Sequence, residues 1–153
     1  MTTLTLTTHH ARLLPPRHPG AIAALADAGS VARAVADRRD LWAPHVRFDP
    51  DTPHERTVWS DGCWEVRLGA WLPGQSTEVR EHVGRPGAVL VLQGVLEETT
   101  WVTATDGPEP GRRHAVTRRH VADQVRSYGA VHVHAVANRG TDPAVALHVR
   151  HAD

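Results

Sequence analysis

At 153 residues the chain has the length of one domain with a sizeable core, and its 17 Lys+Arg balance 17 Asp+Glu. With no excess of either sign, neither nucleic acid nor an anionic membrane is an expected partner. Every formal positive charge is an arginine, which together with the Ala, Gly, Pro and Val content suggests a GC-rich bacterial source. Cys63 is the only cysteine, which excludes an internal disulfide and fits a reducing compartment. The opening residues have no long apolar core, so a cytoplasmic protein without signal peptide or membrane span is expected.

From Pro19 to about Asp40, apolar residues recur at three- and four-residue steps: Ile22, Leu25 and Ala26, then Val31, Ala34 and Val35. That period predicts two short helices, with Gly29 as the break and Ser30 as N-cap of the second. After Pro50 the period falls to two. Trp64-Glu65-Val66-Arg67-Leu68 alternates apolar and polar, and Ala88 to Leu92 is a continuous apolar run of strand length. Gly94 precedes a further strand-like run from Val95 to Val102, and others are Gln124 to Tyr128, Val131 to Val136 and Ala144 to Val149. Turn clusters separate them at Ser60-Asp61-Gly62, Pro73-Gly74, Thr105-Asp106-Gly107-Pro108 and Asn138-Arg139-Gly140. Many short strands at this spacing predict an all-β antiparallel sandwich or barrel, with the helices packed outside. The expected division is a helical segment, 1–40, packed on a β domain, 41–153, in one globular unit.

Two windows concentrate the candidate chemistry. The first is Gly74-Gln75-Ser76-Thr77-Glu78-Val79-Arg80-Glu81-His82, followed by Gly87 and Gln93-Gly94; the second is His132-Val133-His134-Ala135-Val136-Ala137-Asn138. These windows resemble the two cupin motifs. The first motif has a glycine, five residues and His-x-His; the second has a histidine, three residues and an asparagine. His134 and Asn138 meet the second pattern. His82 takes the second histidine of the first, but Arg80 stands where its first histidine belongs. Residues two apart on a strand share a face, so an alternating pair aims both side chains into a barrel mouth. A third ligand from a later strand then completes a facial set around Fe(II) with open positions. Guanidinium cannot ligate, and beside a dication it would repel it.

The resemblance extends to the cysteine dioxygenase family through Leu41 to Pro50, Trp71 to Thr77 and Asp142 to His148, and it runs from about Leu41 to Val149. It implies a cupin double-stranded β-helix, a jelly-roll barrel with short N-terminal helices. It further implies Fe(II) at His82 and His134, and oxidation by O2 of a small, carboxylate-bearing, amino-acid-derived thiol to a sulfinate. Arg56 falls where the family keeps the arginine that pairs with the substrate carboxylate, a role suited to a planar donor fork. His54 falls where an aromatic residue commonly precedes that arginine. His148 falls at the histidine of an outer-sphere Ser-His-Tyr set, whose serine and tyrosine positions are Ala146 and Arg150. The cysteine–tyrosine crosslink of the animal enzymes is excluded, because the matching positions are Gly87 and Arg150.

Other readings of the same residues stand beside these. Arg56, Arg80 and Arg150 also suit a metal-free cavity for a small anionic ligand, with His134 or His148 as acid or base. His132, and Glu78 in parity with His82, are candidate replacements for the missing ligand. As plain structural residues, His82 and His134 would line a barrel mouth, Arg56 would form a surface ion pair, and His148 would be a hydrogen-bonded inward residue. His9, His10, His18, His114, His120 and His151 fall near termini or in expected loops and are read as exposed. Cys63, at a turn-to-strand entry, is read as inert.

Overall fold

The computed structural model describes Ile22, Leu25, residues 27–105 and residues 107–152. His9, His10, His18 and most of the first expected helix lie outside the described residues. The second expected helix is present as α1 (Ala28–Asp37), and its N-cap is Asp27 rather than Ser30. The Asp27 carboxylate accepts from the Ser30 amide at 2.8 Å and from its hydroxyl at 2.7 Å, which satisfies a first-turn donor. Gly29 therefore lies inside the helix instead of breaking it. A short α2 (Arg39–Trp42) and a 3-10 turn (Ala43–His45) carry helix slightly past Leu41. No described helix is long and apolar enough to cross a membrane.

Nine strands follow among the described residues: β1 (His54–Ser60), β2 (Trp64–Trp71), β3 (Arg80–Val83), β4 (Gly87–Gln93), β5 (Val95–Thr103), β6 (Arg113–Val121), β7 (Val125–Tyr128), β8 (Val131–Ala137) and β9 (Ala144–His151). They form a five-stranded sheet, β1-β2-β9-β4-β7, facing a four-stranded sheet, β3-β8-β5-β6. All ladders are antiparallel, as the alternation and turn spacing predict. The sequence pattern gives no sign of β6. Its residues Arg113, His114, Arg118 and Arg119 are exposed and lack apolar alternation, yet the strand pairs with β5 along its whole length.

Strand alternation decides which side chains reach the interior. One face of the five-stranded sheet presents Val66, Leu68, Leu90, Leu147 and Val149 to Ile22, Val31 and Val35 on the helical side. The opposite face turns Trp71, Val89, Val91 and Ala146 inward, where they meet Leu96 and Val136 of the second sheet. Burying each larger side chain of this kind contributes about 1.5–3 kcal/mol. The inner cluster fills one end of the barrel. Further along the same strands the inward positions are polar: Arg67 on β2, Glu98 on β5, His132 and His134 on β8, and His148 and Arg150 on β9. That end holds the candidate site.

Candidate functional site

β3 and β8 pair so that Arg80 is opposite His134 and His82 opposite His132. The two-residue alternation turns both histidines of β8 inward, where they are buried with Glu98 of β5. Glu98 Oε1 lies 2.8 Å from both His132 Nε2 and His134 Nδ1, while Oε2 lies 2.8 Å from His120 Nε2. The guanidinium of Arg126 approaches Oε2 at 3.2 Å as an ion pair. A carboxylate only accepts, so each imidazole donates to it. Burial alone would raise the Glu98 pKa, but the hydrogen bonds from His120, His132 and His134 hold it well below the usual carboxylate range. His120 is thus buried and bound, not exposed as the sequence reading expects, because the unpredicted β6 carries it inward.

With its proton on Nδ1, His134 presents a lone pair at Nε2, and that atom lies 3.1 Å from His82 Nε2. Burial, followed by the neighbouring His134 and His132, pushes the His82 pKa down to about 4, so its imidazole is neutral at pH 7. Two nitrogens about 2.0–2.1 Å from a common divalent ion stand roughly 2.9–3.4 Å apart when they take adjacent tetrahedral or octahedral positions. The two imidazoles fit such a corner. Arg80, across from His134, does not complete it: its guanidinium pairs with Glu55 of β1 at 2.8 Å. Glu98, His132 and His134 also form a group of potential ligands within 4.8 Å of one another, but their facing atoms are already joined by hydrogen bonds.

Beside the two imidazoles is a cavity of about 140 Å³ lined by Glu55, Arg67, Leu68, Gly69, Arg80, His82, Tyr128, His148 and Arg150. Arg67 approaches Glu55 at 3.3 Å, and Arg150 pairs with Glu65 at 2.6 Å. Burial would raise the Glu55 pKa; the Arg80 hydrogen bond and charge, then Arg67, outweigh it and lower the value. His148 Nε2 is buried with no hydrogen-bond partner among the described residues. Burial first, then the charge of His134, pushes the His148 pKa down to about 4. Tyr128 stacks on His132 with ring centroids 4.2 Å apart and a 10° interplanar angle. Its pKa is pushed up to about 12, by burial and then by Glu98, so the phenol remains a donor. The hydroxyl lies over Gly87, where a Cβ would collide with it and with the Val149 carbonyl.

The sequence-predicted site residues divide accordingly. His82 and His134 meet, and Arg80, Arg150 and His148 line the adjoining cavity. Arg56 does not reach it, which corrects its expected place as the carboxylate clamp. Its cross-strand partner is Leu68, on the helix-covered face, and Arg56 itself is exposed. One residue earlier, Glu55 pairs with Gly69 and faces the cavity. Arg67 shares that inward face and is the arginine that sequence reasoning missed. Its signal was the alternation of β2, which is inward-polar here rather than solvent-polar. Glu98 was also missed, although its parity with Leu96 sets it inside. Glu78 is exposed before β3, and His132, though opposite His82 and with its ring 4.4 Å from that of His134, has its Nε2 bound to Glu98. His151 is half-buried against Trp64, with ring centroids 4.1 Å apart, whereas His114 and Cys63 are exposed. Asn138 clamps a turn: its amide nitrogen donates to the carbonyls of Trp71 and Asp142, and its oxygen accepts from the Gly140 amide.

Solved structures share this architecture at low sequence identity. A protein of Thermus thermophilus matches with TM-score 0.54 and 21% identity, over 71% of this chain and 91% of that one. A Klebsiella pneumoniae protein with a double-stranded β-helix domain matches with TM-score 0.54 and 17% identity, over 71% and 84% of the two chains. A cupin superfamily protein of Desulfitobacterium hafniense gives TM-score 0.51 and 18% identity, over 74% and 89%. These likenesses establish the fold as a cupin double-stranded β-helix. No curated protein matches the sequence. The sequence model of the family described as cysteine dioxygenase type I matches residues 21–152. That span takes in every strand of both sheets and the inward histidines between them, and the protein belongs to the cysteine dioxygenase type I family.

Proposed function

We propose that this cupin oxidises a small, carboxylate-bearing, amino-acid-derived thiol, with Fe(II) held by His82 and His134. The observation that carries the proposal is the pair of inward imidazole nitrogens, 3.1 Å apart, beside a cavity lined by three arginines. Balanced overall, R–SH and O2 give R–SO2H: both oxygen atoms end on sulfur, and four electrons pass from sulfur to oxygen. Iron, when bound, supplies the one-electron chemistry that lets O2 react with a thiolate, and leaves open positions for both.

The chain's own residues select and orient the substrate. At about 140 Å³ the cavity is well below the roughly 300–1,000 Å³ of sites for drug-sized ligands, so the ligand is small. Arg67 and Arg150 offer planar donor forks to its carboxylate, and Glu55 and Glu65 hold those guanidinium groups in place. The Tyr128 hydroxyl is a further donor on the cavity wall, and neutral His148 can accept a proton at its unpartnered Nε2. Anaerobic titration with Fe(II), followed by O2 and a panel of three-carbon carboxylate thiols, tests the reading. Stoichiometric sulfinate with matching O2 consumption is expected; absence of both from iron-loaded protein would overturn it.

Arg80 favours a second reading. A guanidinium opposite His134, with Arg67 and Arg150 nearby, suits a metal-free cupin that binds a small anion, or transforms it without oxygen through His134 or His148. Under that reading the protein takes up no Fe(II) but binds small carboxylates, and the same titration separates the two.

A further inference from the structure

Glu98 lies behind His134, away from the cavity lining, and the proposed chemistry does not touch it. We infer that Glu98 is the positioning residue of the site: it fixes His134 in the Nδ1–H tautomer and thereby aims the Nε2 lone pair at His82. This deepens the proposed metal reading, and rests on it only for the effect on metal affinity.

The assignment follows from counting donors. Glu98 is 1% exposed and meets four nitrogen groups: His132, His134, His120 and Arg126. Arg126 places a permanent positive charge 3.2 Å from Oε2, which favours an ionised, accepting oxygen on that side. A neutral imidazole has one N–H, and each of the three histidines directs a ring nitrogen at a carboxylate oxygen 2.8 Å away. All three therefore carry their proton towards Glu98. For His134 that nitrogen is Nδ1, which leaves Nε2 as an acceptor. In the metal-free protein His82 Nε2–H donates to it across 3.1 Å; an ion between them would replace that proton. A hydrogen-bonded carboxylate behind a ligating imidazole also raises its basicity, and losing such a partner typically weakens metal affinity by about 10–100-fold.

Glu98→Gln makes a directional test. The carboxamide oxygen is favoured beside the Arg126 cation, so the nitrogen takes the Oε1 side, towards His132 and His134. His134 must then accept at Nδ1 and move its proton to Nε2, which blocks the nitrogen that faces His82. Imidazole 1H–15N correlation spectra of the metal-free protein, assigned with His134→Gln, read this directly. The wild type should show His134 protonated on Nδ1, and E98Q should show it protonated on Nε2. Co(II), used as the probe, should bind E98Q about 10–100-fold more weakly than the wild type. A wild-type His134 protonated on Nε2 overturns the inference, and this measurement needs no variant to fold. So does an E98Q protein with unchanged tautomer and unchanged Co(II) affinity, or a Co(II) ion that displaces the Nδ1 proton by settling among Glu98, His132 and His134. Failure of the wild type to bind Co(II) would remove the metal reading, while the tautomer spectra would still decide the role of Glu98.

Discussion

Arg80 and His134 are direct cross-strand partners, yet their side chains part: the guanidinium of Arg80 reaches Glu55 at 2.8 Å while the imidazole of His134 turns to His82. Under the proposed metal reading, position 80 is the vacant ligand position, and its present side chain is turned away by an ion pair. Replacing arginine there with histidine adds a neutral donor and removes a nearby positive charge, both of which favour a dication. Arg80→His is expected to raise Co(II) or Fe(II) affinity by at least about tenfold, a change that even an outer-sphere partner can produce. Anaerobic titration of both proteins measures it, and equal affinities would show that position 80 does not look onto the ion.

Arg67 and Arg56 make a matched pair for testing the proposed carboxylate site, since one faces the cavity and the other faces out. Arg67→Ala should lose about 1.5–3 kcal/mol of carboxylate binding, the worth of hydrogen bonds to a charged group, because the guanidinium is only partly buried. Arg56→Ala should change it by less than about 0.5 kcal/mol, as an exposed substitution does. Calorimetric titration with a three-carbon carboxylate thiol compares them. The opposite ranking would restore Arg56 to the site.

Deleting the Glu98 carboxylate leaves three imidazole N–H groups and the Arg126 guanidinium facing an apolar stub. Glu98→Ala should destabilise the fold by about 3–5 kcal/mol, the range for breaking one side of a buried charged pair. Urea unfolding at neutral pH is the measurement. A loss under about 1 kcal/mol would mean that water or a rearranged imidazole replaces the carboxylate.

Acid should weaken the protein in two successive windows. His148 titrates near 6.5 in an unfolded chain and at about 4 when folded. Between those values the unfolded state binds a proton that the folded state refuses, so stability is complete above about pH 6.5 and falls as pH drops towards 4. Glu98 is held below its ordinary 4.5, and it adds a further loss below that pH, where only the unfolded chain protonates. His82 is shifted over the same range, so His148→Gln should reduce the first window by about half and leave the second. Urea midpoints at about pH 7.5, 5.5 and 4 test this; an unchanged slope across the upper two would remove His148 as its source.

The barrel was legible because apolar alternation and turn residues are local signals, and six of the nine described strands carry them. β6 lacks the alternation: a turn cluster precedes it, but it is held as the second arm of a hairpin with β5, which its own arginines do not announce. The histidine pair was readable only through the resemblance to the two cupin motifs, since His82 and His134 lie on different strands that no local spacing joins. The β2 arginine that lines the cavity, Arg67, was not. A one-residue difference in parity separates Glu55 from Arg56, and the ladder is already irregular between Thr57 and Trp59. Glu98 escaped notice because a buried carboxylate looks like any strand glutamate until its three imidazole partners arrive from β6 and β8.

Gly87 is the direct partner of both Tyr128 on β7 and Arg150 on β9. A hydrogen atom in place of a side chain sets the gauge of the barrel mouth at this level, letting three strands and a phenol close together. Any β-carbon would push against the Val149 carbonyl as well as the tyrosine, so an altered ring at 128 alone would not make room for one. Sequence drift at position 87 is consequently tied to the spacing of β4 and β9. A larger residue at this position would need β4 and β9 to stand further apart, and the cavity mouth would widen with them.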